Sequence, residues 1–376
     1  MPAHSNDELF LRRALDLARS GVALASPNPC VGAVIVAKDG TVAGKGFHTY
    51  EDKKHAEILA LEQARERARG ATLYLNLEPC SHRGRTGPCA DAVIAAGISR
   101  VVCCMEDPNP LVAGKGFAKL RAAEIEVEVG AFEAEARKLN EAFAKYIRHK
   151  TPLVTLKCAM TLDGRIALPS KPAASRKGAA RSDWITGETA RAHVQQLRHQ
   201  SDVILSGIGT VLADDPLLTD RTGLPRRRPL LRVLLDSHLR LPFDSRVAQS
   251  AREDVLVFCS SAEASKKKAL EKLGVRVEQV SSSAENALDL SLTLKRLGEL
   301  EITSLLLEGG SQVNASALSR GIVDKVFLYV APKLFGGDAV PFASGMEGLV
   351  ELQSMQVHHF GKDFAVEGYL RDPYSG

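Results

Sequence analysis

The sequence predicts an α/β protein of two domains, and three observations predict it. Short apolar runs with strand character alternate along the chain with stretches of helical spacing. The chain has 376 residues, where a single domain usually takes about 100–200. The alternation halts at the basic stretch Arg148-His149-Lys150 and at Pro152, then restarts with a fresh strand at Leu153–Lys157. The boundary is therefore expected near Lys150, with one domain over 1–150 and a second over 151–376.

The elements follow in order. Met1–Ser20 sets Leu9, Phe10, Ala14, Leu17 and Ala18 at helical spacing among charges and is expected as an amphipathic surface helix. Strands are expected at Val31–Ala37, Thr72–Leu77, Arg100–Met105 and Ile125–Val129, with helices at His55–Arg69, Ala90–Ala96, Gly116–Ala123 and Glu133–Arg148. In the second half, strands are expected at Val203–Ser206, Leu230–Asp236, Asp254–Cys259, Val275–Val280, Ser304–Leu307 and Lys325–Val330. Helices are expected there at Thr189–Arg198, Ala264–Leu273, Asn286–Leu297 and Gln312–Ser319.

Composition narrows the function classes. Apolar residues make up 45% of the chain and charged residues 25%, ordinary for a globular protein. The net charge of +4 is mild; it suits an anionic small substrate better than general nucleic-acid binding. The N-terminal stretch lacks the apolar core of a secretory leader, and no apolar run approaches the roughly 20 residues of a membrane span. A soluble, cytoplasmic enzyme is expected, acting on a small molecule as a homo-oligomer, with no nucleic-acid or membrane partner. Seven cysteines, an odd number in a long chain, argue against a disulfide scaffold. Cys103 and Cys104 sit in an apolar run and read as buried strand residues. Two basic stretches, Ser170–Arg181 and Arg221–Pro229, read as loops.

The strongest chemical signal is His55-Ala56-Glu57 followed by Glu78-Pro79-Cys80 and Pro88-Cys89. A catalytic zinc takes three protein ligands and keeps one position open for water, and one imidazole with two thiolates supplies that set. Glu57, two residues past His55, can reach a water there without ligating the metal. Cys89 follows Pro88 at a helix start, where the helix N-terminus favours a thiolate. Zinc nucleobase deaminases carry His-x-Glu and then Pro-Cys-x-x-Cys. Here eight residues, Ser81–Pro88, separate the two cysteines. A structural zinc would instead want a fourth protein ligand, for which His82 is available.

Asn28-Pro29 with Val31-Gly32, Gly46-x-His48, His55-Ala56-Glu57, Glu78-Pro79-Cys80-Ser81-His82-x-Gly84-Arg85-Thr86-x-Pro88-Cys89, and Asp107-Pro108-Asn109-Pro110 with Val112–Gly116 resemble the deaminase of riboflavin biosynthesis. The family normally has Pro where this chain has Gly87, which loosens the loop and removes no ligand. The second half resembles the reductase domain that accompanies this deaminase in the bifunctional bacterial enzyme. The resemblance rests on Lys157 with Thr161–Arg165, Trp184-Ile185-Thr186, Thr210–Pro216 with Leu218-Thr219, Asp236-Ser237, Glu308-Gly309-Gly310 and Ala331-Pro332-Lys333.

The resemblance implies a cytidine-deaminase-like three-layer domain joined to a dihydrofolate-reductase-like domain. It implies zinc on His55, Cys80 and Cys89, with Glu57 as the proton carrier in hydrolytic deamination of a diaminopyrimidinone ribosylamino 5′-phosphate. Asn28, His48 and His82 are implied substrate contacts; a hydrogen-bonded pocket wall accounts for the histidines equally well. The second reaction is implied to be NADPH-dependent reduction of ribosylamino to ribitylamino. Cofactor contacts carry over to Met160, Trp184, Thr210, Asp214, Ser237 and the turn Gly310, Ser311, Gln312, Val313, Asn314, Ala315 and Ser316. Substrate contacts carry over to Ser182, Arg198, Leu218, Arg221 and Glu308, with Lys157 a further candidate near the reacting carbon. A strand running through a Gly pair into a helix offers N–H groups to a phosphate, though an ordinary strand-to-helix turn reads the same. Arg198 and Arg221 suit phosphate because a guanidinium binds its oxygens in a fork; without the resemblance Arg198 reads as a helix-surface charge. Ser170–Arg181 is expected to be mobile, either a lid over the second site or an inert insertion. The rival reading is a nucleic-acid base deaminase with an RNA-binding second domain. The Arg-rich 221–229 stretch favours it; the long Cys80–Cys89 spacing, the lack of an RNA-binding motif and a single Trp oppose it.

Overall fold

The computed structural model describes residues 3–82, 87–168, 184–281 and 288–375, with side chains from residue 6 onward. Ser182 and the basic stretch Ser170–Arg181 lie outside the described residues. The chain forms two compact units, one of Met1–Lys150 with Pro225–Arg227, the other of Thr151–Leu224 and Arg228–Ser375.

The first unit runs α1 (Ala3–Arg19), β1 (Gly32–Val36), β2 (Val42–Phe47), α2 (Ala56–Ala64), β3 (Thr72–Leu75), α3 (Cys89–Ala95), β4 (Arg100–Cys103), α4 (Lys115–Ala122), β5 (Glu126–Val129) and α5 (Glu133–His149). Its sheet has the order β2-β1-β3-β4-β5. β1 is antiparallel to both neighbours, and β3, β4 and β5 are parallel. The helices flank the sheet on both faces, as the three-layer expectation requires. A Cβ at Gly32 would lie 2.1 Å from the Ala14 carbonyl of α1, and one at Gly44 would lie 2.0 Å from the Ala60 carbonyl of α2. Gly44 pairs with Ile35, which faces the side of β1 opposite to Gly32, so the two helices lie on opposite faces. β2 was not expected from the sequence: Val42–Phe47 holds two glycines, poor strand formers, kept small by α2 rather than by the strand.

α1 is amphipathic as expected, but its buried stripe is Phe10, Leu11, Ala14, Leu15 and Ala18, while Leu9 stays exposed. Asp7 ties it to the sheet: Arg100 of β4 donates to both Asp7 carboxylate oxygens at 3.0 and 2.9 Å, and Tyr74 Oη donates at 2.7 Å. Cys103 and Cys104 are fully buried.

The second unit contains β6 (Leu153–Thr161), β7 (Arg165–Ala167), α6 (Glu188–Gln200), β8 (Val203–Gly207), α7 (Ile208–Asp214), β9 (Leu231–Leu235), α8 (Arg246–Gln249), β10 (Val255–Cys259), α9 (Ala264–Lys272), β11 (Val275–Gln279), α10 (Leu290–Glu299), β12 (Ser304–Leu307), α11 (Ser311–Ser319), β13 (Lys325–Ala331), β14 (Val340–Pro341), β15 (Gln353–Phe360) and β16 (Asp363–Tyr369). The main sheet has nine strands in the order β11-β10-β9-β8-β12-β6-β13-β16-β15. It is parallel from β11 to β13 and antiparallel over its last two strands. Val154, Leu156 and Cys158 of β6 join the core under α10 and α11, and Lys157 between them faces the other side. The start of the helix expected at Asn286 falls outside the described residues; α10 begins at Leu290, where the Asp289 carboxylate caps the N–H groups of Ser291 and Leu292. β15 and β16 were not expected: β15 is an edge strand that presents mostly exposed residues, so no apolar alternation marks it. Arg228 is not a solvated loop charge. It pairs with Asp202 at 3.3 Å and donates to the Glu301 carbonyl.

Gly44→Ala should destabilise the first unit by about 1–3 kcal/mol, the usual cost of overpacking, because backbone must shift to admit the methyl group. Gly209→Ala, where an added Cβ meets nothing within 4 Å, should be neutral or stabilising by up to about 1 kcal/mol. Urea denaturation of both variants checks the contrast; equal effects would contradict it.

Candidate metal centre and cofactor crevice

In the first unit, the chain arrives at three donor atoms from three directions. His55 is the residue before α2, with extended backbone at φ −76° and ψ 158°. Cys80 follows the exit from β3, and Cys89 opens α3. His55 Nδ1 is 3.1 Å from Cys89 Sγ and 3.6 Å from Cys80 Sγ. All three donor atoms lie within 4.8 Å of one another, a cluster with metal-holding geometry among the described residues. The Cys89 backbone N–H donates to Cys80 Sγ at 3.3 Å, and the Ala90 N–H donates to the Cys80 carbonyl. His82 is exposed and outside the cluster, and among the described residues no fourth protein ligand joins it.

The electrostatics suit a cation. The Cys80 thiol is pushed down to about 4, first by the hydrogen bond it takes from Cys89 and then by His55. Cys89 is pushed up, first by the reciprocal bond to Cys80. A bound dication would favour the thiolate form of both sulfurs. Glu57 is 3% exposed, and its Oε2 has no hydrogen-bond partner. Burial raises its pKa, opposed by His55. A soft N, S, S donor set beside an orphaned carboxylate oxygen fits zinc with an open position.

Asn28 and His48 stand beside this cluster. The Lys54 carbonyl can only accept, so His48 Nδ1 donates to it at 2.8 Å. His48 Nε2 then accepts from Asn28 Nδ2 at 2.9 Å. This fixes the imidazole tautomer, burial keeps its pKa low, and the Asn28 side-chain oxygen is left for a ligand. The His48 ring meets the His55 ring edge-on at 5.4 Å. Two residues unmarked in the sequence hold this wall. Asn76 and Asn140 both donate to the Cys30 carbonyl, Asn140 accepts from the Cys30 N–H, and Asn76 accepts from the Gly32 N–H. Asn140 breaks the helical angles of α5 to do so.

In the second unit, the expected cofactor residues gather at the carboxyl ends of neighbouring strands, the usual place for a ligand in such a sheet. Met160 is the penultimate residue of β6, Thr210 lies in α7 after β8, Ser237 follows β9, and the Gly310–Ser316 turn opens α11 after β12. Gly310 approaches Thr210, whose Oγ1 would lie 3.8 Å from an added Cβ. Ser311, Asn314 and Ala315 are buried; Ser311 Oγ accepts from Ser344 N–H, and Asn314 Nδ2 donates to the Phe342 carbonyl. Gln312 is exposed, and Val313 and Ser316 are half-buried. Asp214 is exposed at the end of α7. Trp184 is 57% exposed, with the Arg191 guanidinium 5.0 Å from its ring centroid.

Beside this crevice sits a half-buried charge cluster. Glu308 accepts from Arg198 Nε at 2.7 Å and Nη2 at 3.0 Å, and lies 3.4 Å from Lys157 Nζ. Burial alone would raise the Glu308 pKa; the charges of Lys157 and Arg198 overcome it and hold it at about 2. The Arg198 fork, expected from the resemblance to meet the substrate, grips Glu308 in this structure, and its third nitrogen donates to the Thr219 carbonyl. His199 meets Asp220 at 3.0 Å and Gln195 accepts from the Arg221 N–H. The C-terminal end of α6 thereby fixes the 219–222 segment and leaves the Arg221 side chain exposed. Leu218 is in the left-handed region at φ 54° with its side chain in the core, so its backbone is what a ligand can touch.

Residues 4–105 match the family model for the cytidine and deoxycytidylate deaminase zinc-binding region, and residues 152–366 match the RibD C-terminal domain. The chain is 42% identical to the riboflavin biosynthesis protein RibD of Actinobacillus pleuropneumoniae, across 97% of this chain and 95% of that one. It is 39% identical to the Escherichia coli K12 protein of the same name, across 95% and 97%. Among solved structures, Acinetobacter baumannii RibD matches with a TM-score of 0.82 at 36% identity, covering 97% of this chain and 99% of that one. The diaminohydroxyphosphoribosylaminopyrimidine deaminase/5-amino-6-(5-phosphoribosylamino)uracil reductase of Thermotoga maritima matches with a TM-score of 0.79 at 37% identity, covering 98% and 99%.

Glu308→Gln should leave the half-buried cations Lys157 and Arg198 without their anion and destabilise the second unit by up to roughly 3 kcal/mol at neutral pH. A depressed carboxylate pKa adds stability above its ordinary value of 4.5 and loses it as pH falls towards about 2. The gap between wild type and variant should therefore be widest near neutrality and close through that acid window. Thermal unfolding across pH checks this; a gap that is absent, or constant with pH, would contradict it.

Proposed function

The chain belongs to the RibD family of riboflavin-biosynthesis proteins, and from that premise we propose that its two units act in succession on one phosphorylated pyrimidine. It is a bifunctional enzyme, a zinc-dependent deaminase and an NADPH-dependent reductase. The substrate in this reading is a diaminopyrimidinone ribosylamino 5′-phosphate. Residues 1–150 exchange one exocyclic amine for oxygen with release of ammonia. Residues 151–376 then reduce the ribosylamino group to ribitylamino.

The observation that carries the first half is the partnerless Glu57 Oε2 beside three converging metal donors. His55, Cys80 and Cys89 would hold the zinc, which when bound supplies the Lewis acidity that makes water nucleophilic near neutral pH. Glu57 takes one proton from the attacking water at Oε2 and gives it to the ring nitrogen; it then takes a second from the new hydroxyl and gives it to the amine, which leaves as ammonia. Its raised pKa keeps the protonated form within reach, as an acid–base group needs. Asn28 holds the pyrimidine through its side-chain oxygen, and neutral His48 keeps Asn28 oriented.

In the second unit NADPH supplies the hydride. Lys157, held by Glu308, lies where the open-chain sugar presents its carbonyl or imine carbon. Arg221, whose side chain is exposed, takes the substrate phosphate; Arg198 acts through Glu308. Seven free cysteines suit a reducing cytoplasm. A homo-oligomer completes the reading, with exposed Met355 and Val357 on edge strand β15 as a surface for a second copy. An RNA-binding second domain finds no support, since residues 152–366 match a reductase-family model.

Glu57→Gln should keep its zinc, lose deamination by about 10²–10⁴-fold, and still oxidise NADPH when given the deaminated intermediate. Metal analysis and separate assays of the two steps read this out. Full deaminase activity in that variant would sink the mechanism, and a folded variant inactive on the intermediate would sink the independence of the units.

A further inference from the structure

We propose that Glu78 is a positioning residue for the metal centre, setting where the Cys80 sulfur stands through four backbone hydrogen bonds. The inference rests on the reading of His55, Cys80 and Cys89 as metal ligands. Glu78 is 3% exposed and lies two residues before Cys80. Its Oε2 accepts from the N–H groups of Asp107 at 3.0 Å and Gly114 at 2.9 Å. Its Oε1 accepts from Gly116 at 2.7 Å and Phe117 at 3.1 Å. Gly116 and Phe117 belong to the first turn of α4, whose amide donors have no partner within the helix. The Glu78 main-chain N–H donates to the Met105 carbonyl at 3.1 Å. Backbone and side chain of one residue therefore bind the whole 105–117 segment.

The arrangement passes to the ligand through Pro79. A Cβ at Gly116 would lie 2.1 Å from the Pro79 carbonyl, so α4 presses directly against the peptide that leads into Cys80. On its other side Cys80 is fixed by N–H groups of Cys89 and Ala90. The sulfur thus stands between two anchors, α3 on one side and the Glu78–α4 contact on the other. A carboxylate is the side chain this needs, because both its oxygens accept and four donors converge on it. Glutamine keeps the shape but offers one accepting oxygen and turns an NH₂ toward two N–H donors. Groups that orient metal ligands from behind typically cost about 10–100-fold in metal affinity when replaced.

The test uses the full-length protein loaded with cobalt(II) in place of zinc, read by its ligand-field and thiolate-to-cobalt absorption, together with the rate of zinc loss to a chelator. Amide hydrogen-exchange protection of β1, β3 and β4 reports that the first unit is folded. Glu78→Gln should keep that protection, shift or weaken the cobalt bands, and bind zinc about 10–100-fold more weakly. Gly116→Ala, which presses on Pro79 from the α4 side without removing a charge, should move the same bands; it carries the test should Glu78→Gln not fold. Folded variants with the wild-type cobalt spectrum and zinc retention overturn the proposal, even if their melting temperature drops. A wild-type chain that shows no thiolate-to-cobalt absorption takes down the metal reading and the proposal with it.

Discussion

A carboxylate taken out of water must find its charge another partner or give it up, and the way Glu78, Glu308 and Glu57 meet that demand organises the two sites. Glu78 meets it with four backbone N–H groups. Glu308 meets it with the guanidinium of Arg198 and the ammonium of Lys157. Glu57 meets it least: its Oε2 is buried with no hydrogen-bond partner. The first two hold structure in place. The third stands beside the three donors that would hold the metal, and in the proposed mechanism it carries the proton. Compensation separates the two glutamates with charged or amide partners from the one proposed to do chemistry.

The same division explains why the two sites share a chain without sharing residues. In the first unit the functional groups come from the start of α2, the exit of β3 and the start of α3, all gathered at the metal cluster. In the second they come from the carboxyl ends of four adjacent strands, β9, β8, β12 and β6, where parallel strands leave a crevice. Around that crevice α6 does the positioning. Arg198, His199 and Gln195 each grip a point on the 219–222 segment or on Glu308, so one helix end sets both the half-buried anion and the backbone that carries Arg221. A helix face that looks in sequence like a row of surface charges is an internal brace.

Much of this is legible in the amino-acid sequence. His55, Glu57, Cys80 and Cys89 stand out because zinc chemistry dictates residue types as well as spacing, and the parallel core of the second unit announces itself in runs such as Leu305–Leu307. What stays hidden has physical reasons. β2 carries two glycines because α2 lies against them, so its strand character is absent from its composition. β15 is an exposed edge with no apolar alternation. Asn140 binds Cys30, 110 residues away, and no local pattern marks a partner that distant. Glu78 is visible as part of a motif, but its partners are amide groups that every residue except proline carries, so no residue type betrays the contact. Arg198 is legible as a functional arginine, yet its partner is not, since a fork that fits phosphate fits a carboxylate equally well.

The central claim is that one chain deaminates first and reduces second. The most direct measurement follows product masses over time when the purified full-length protein, loaded with zinc, is given the diaminopyrimidinone ribosylamino phosphate and NADPH. The account predicts a first product in which one amine has been exchanged for oxygen, with ammonia released. A second product should follow, carrying two further hydrogens, with one NADPH oxidised for each. Appearance of the two-hydrogen species while both ring amines are still present, or NADPH oxidation without prior release of ammonia, would contradict it.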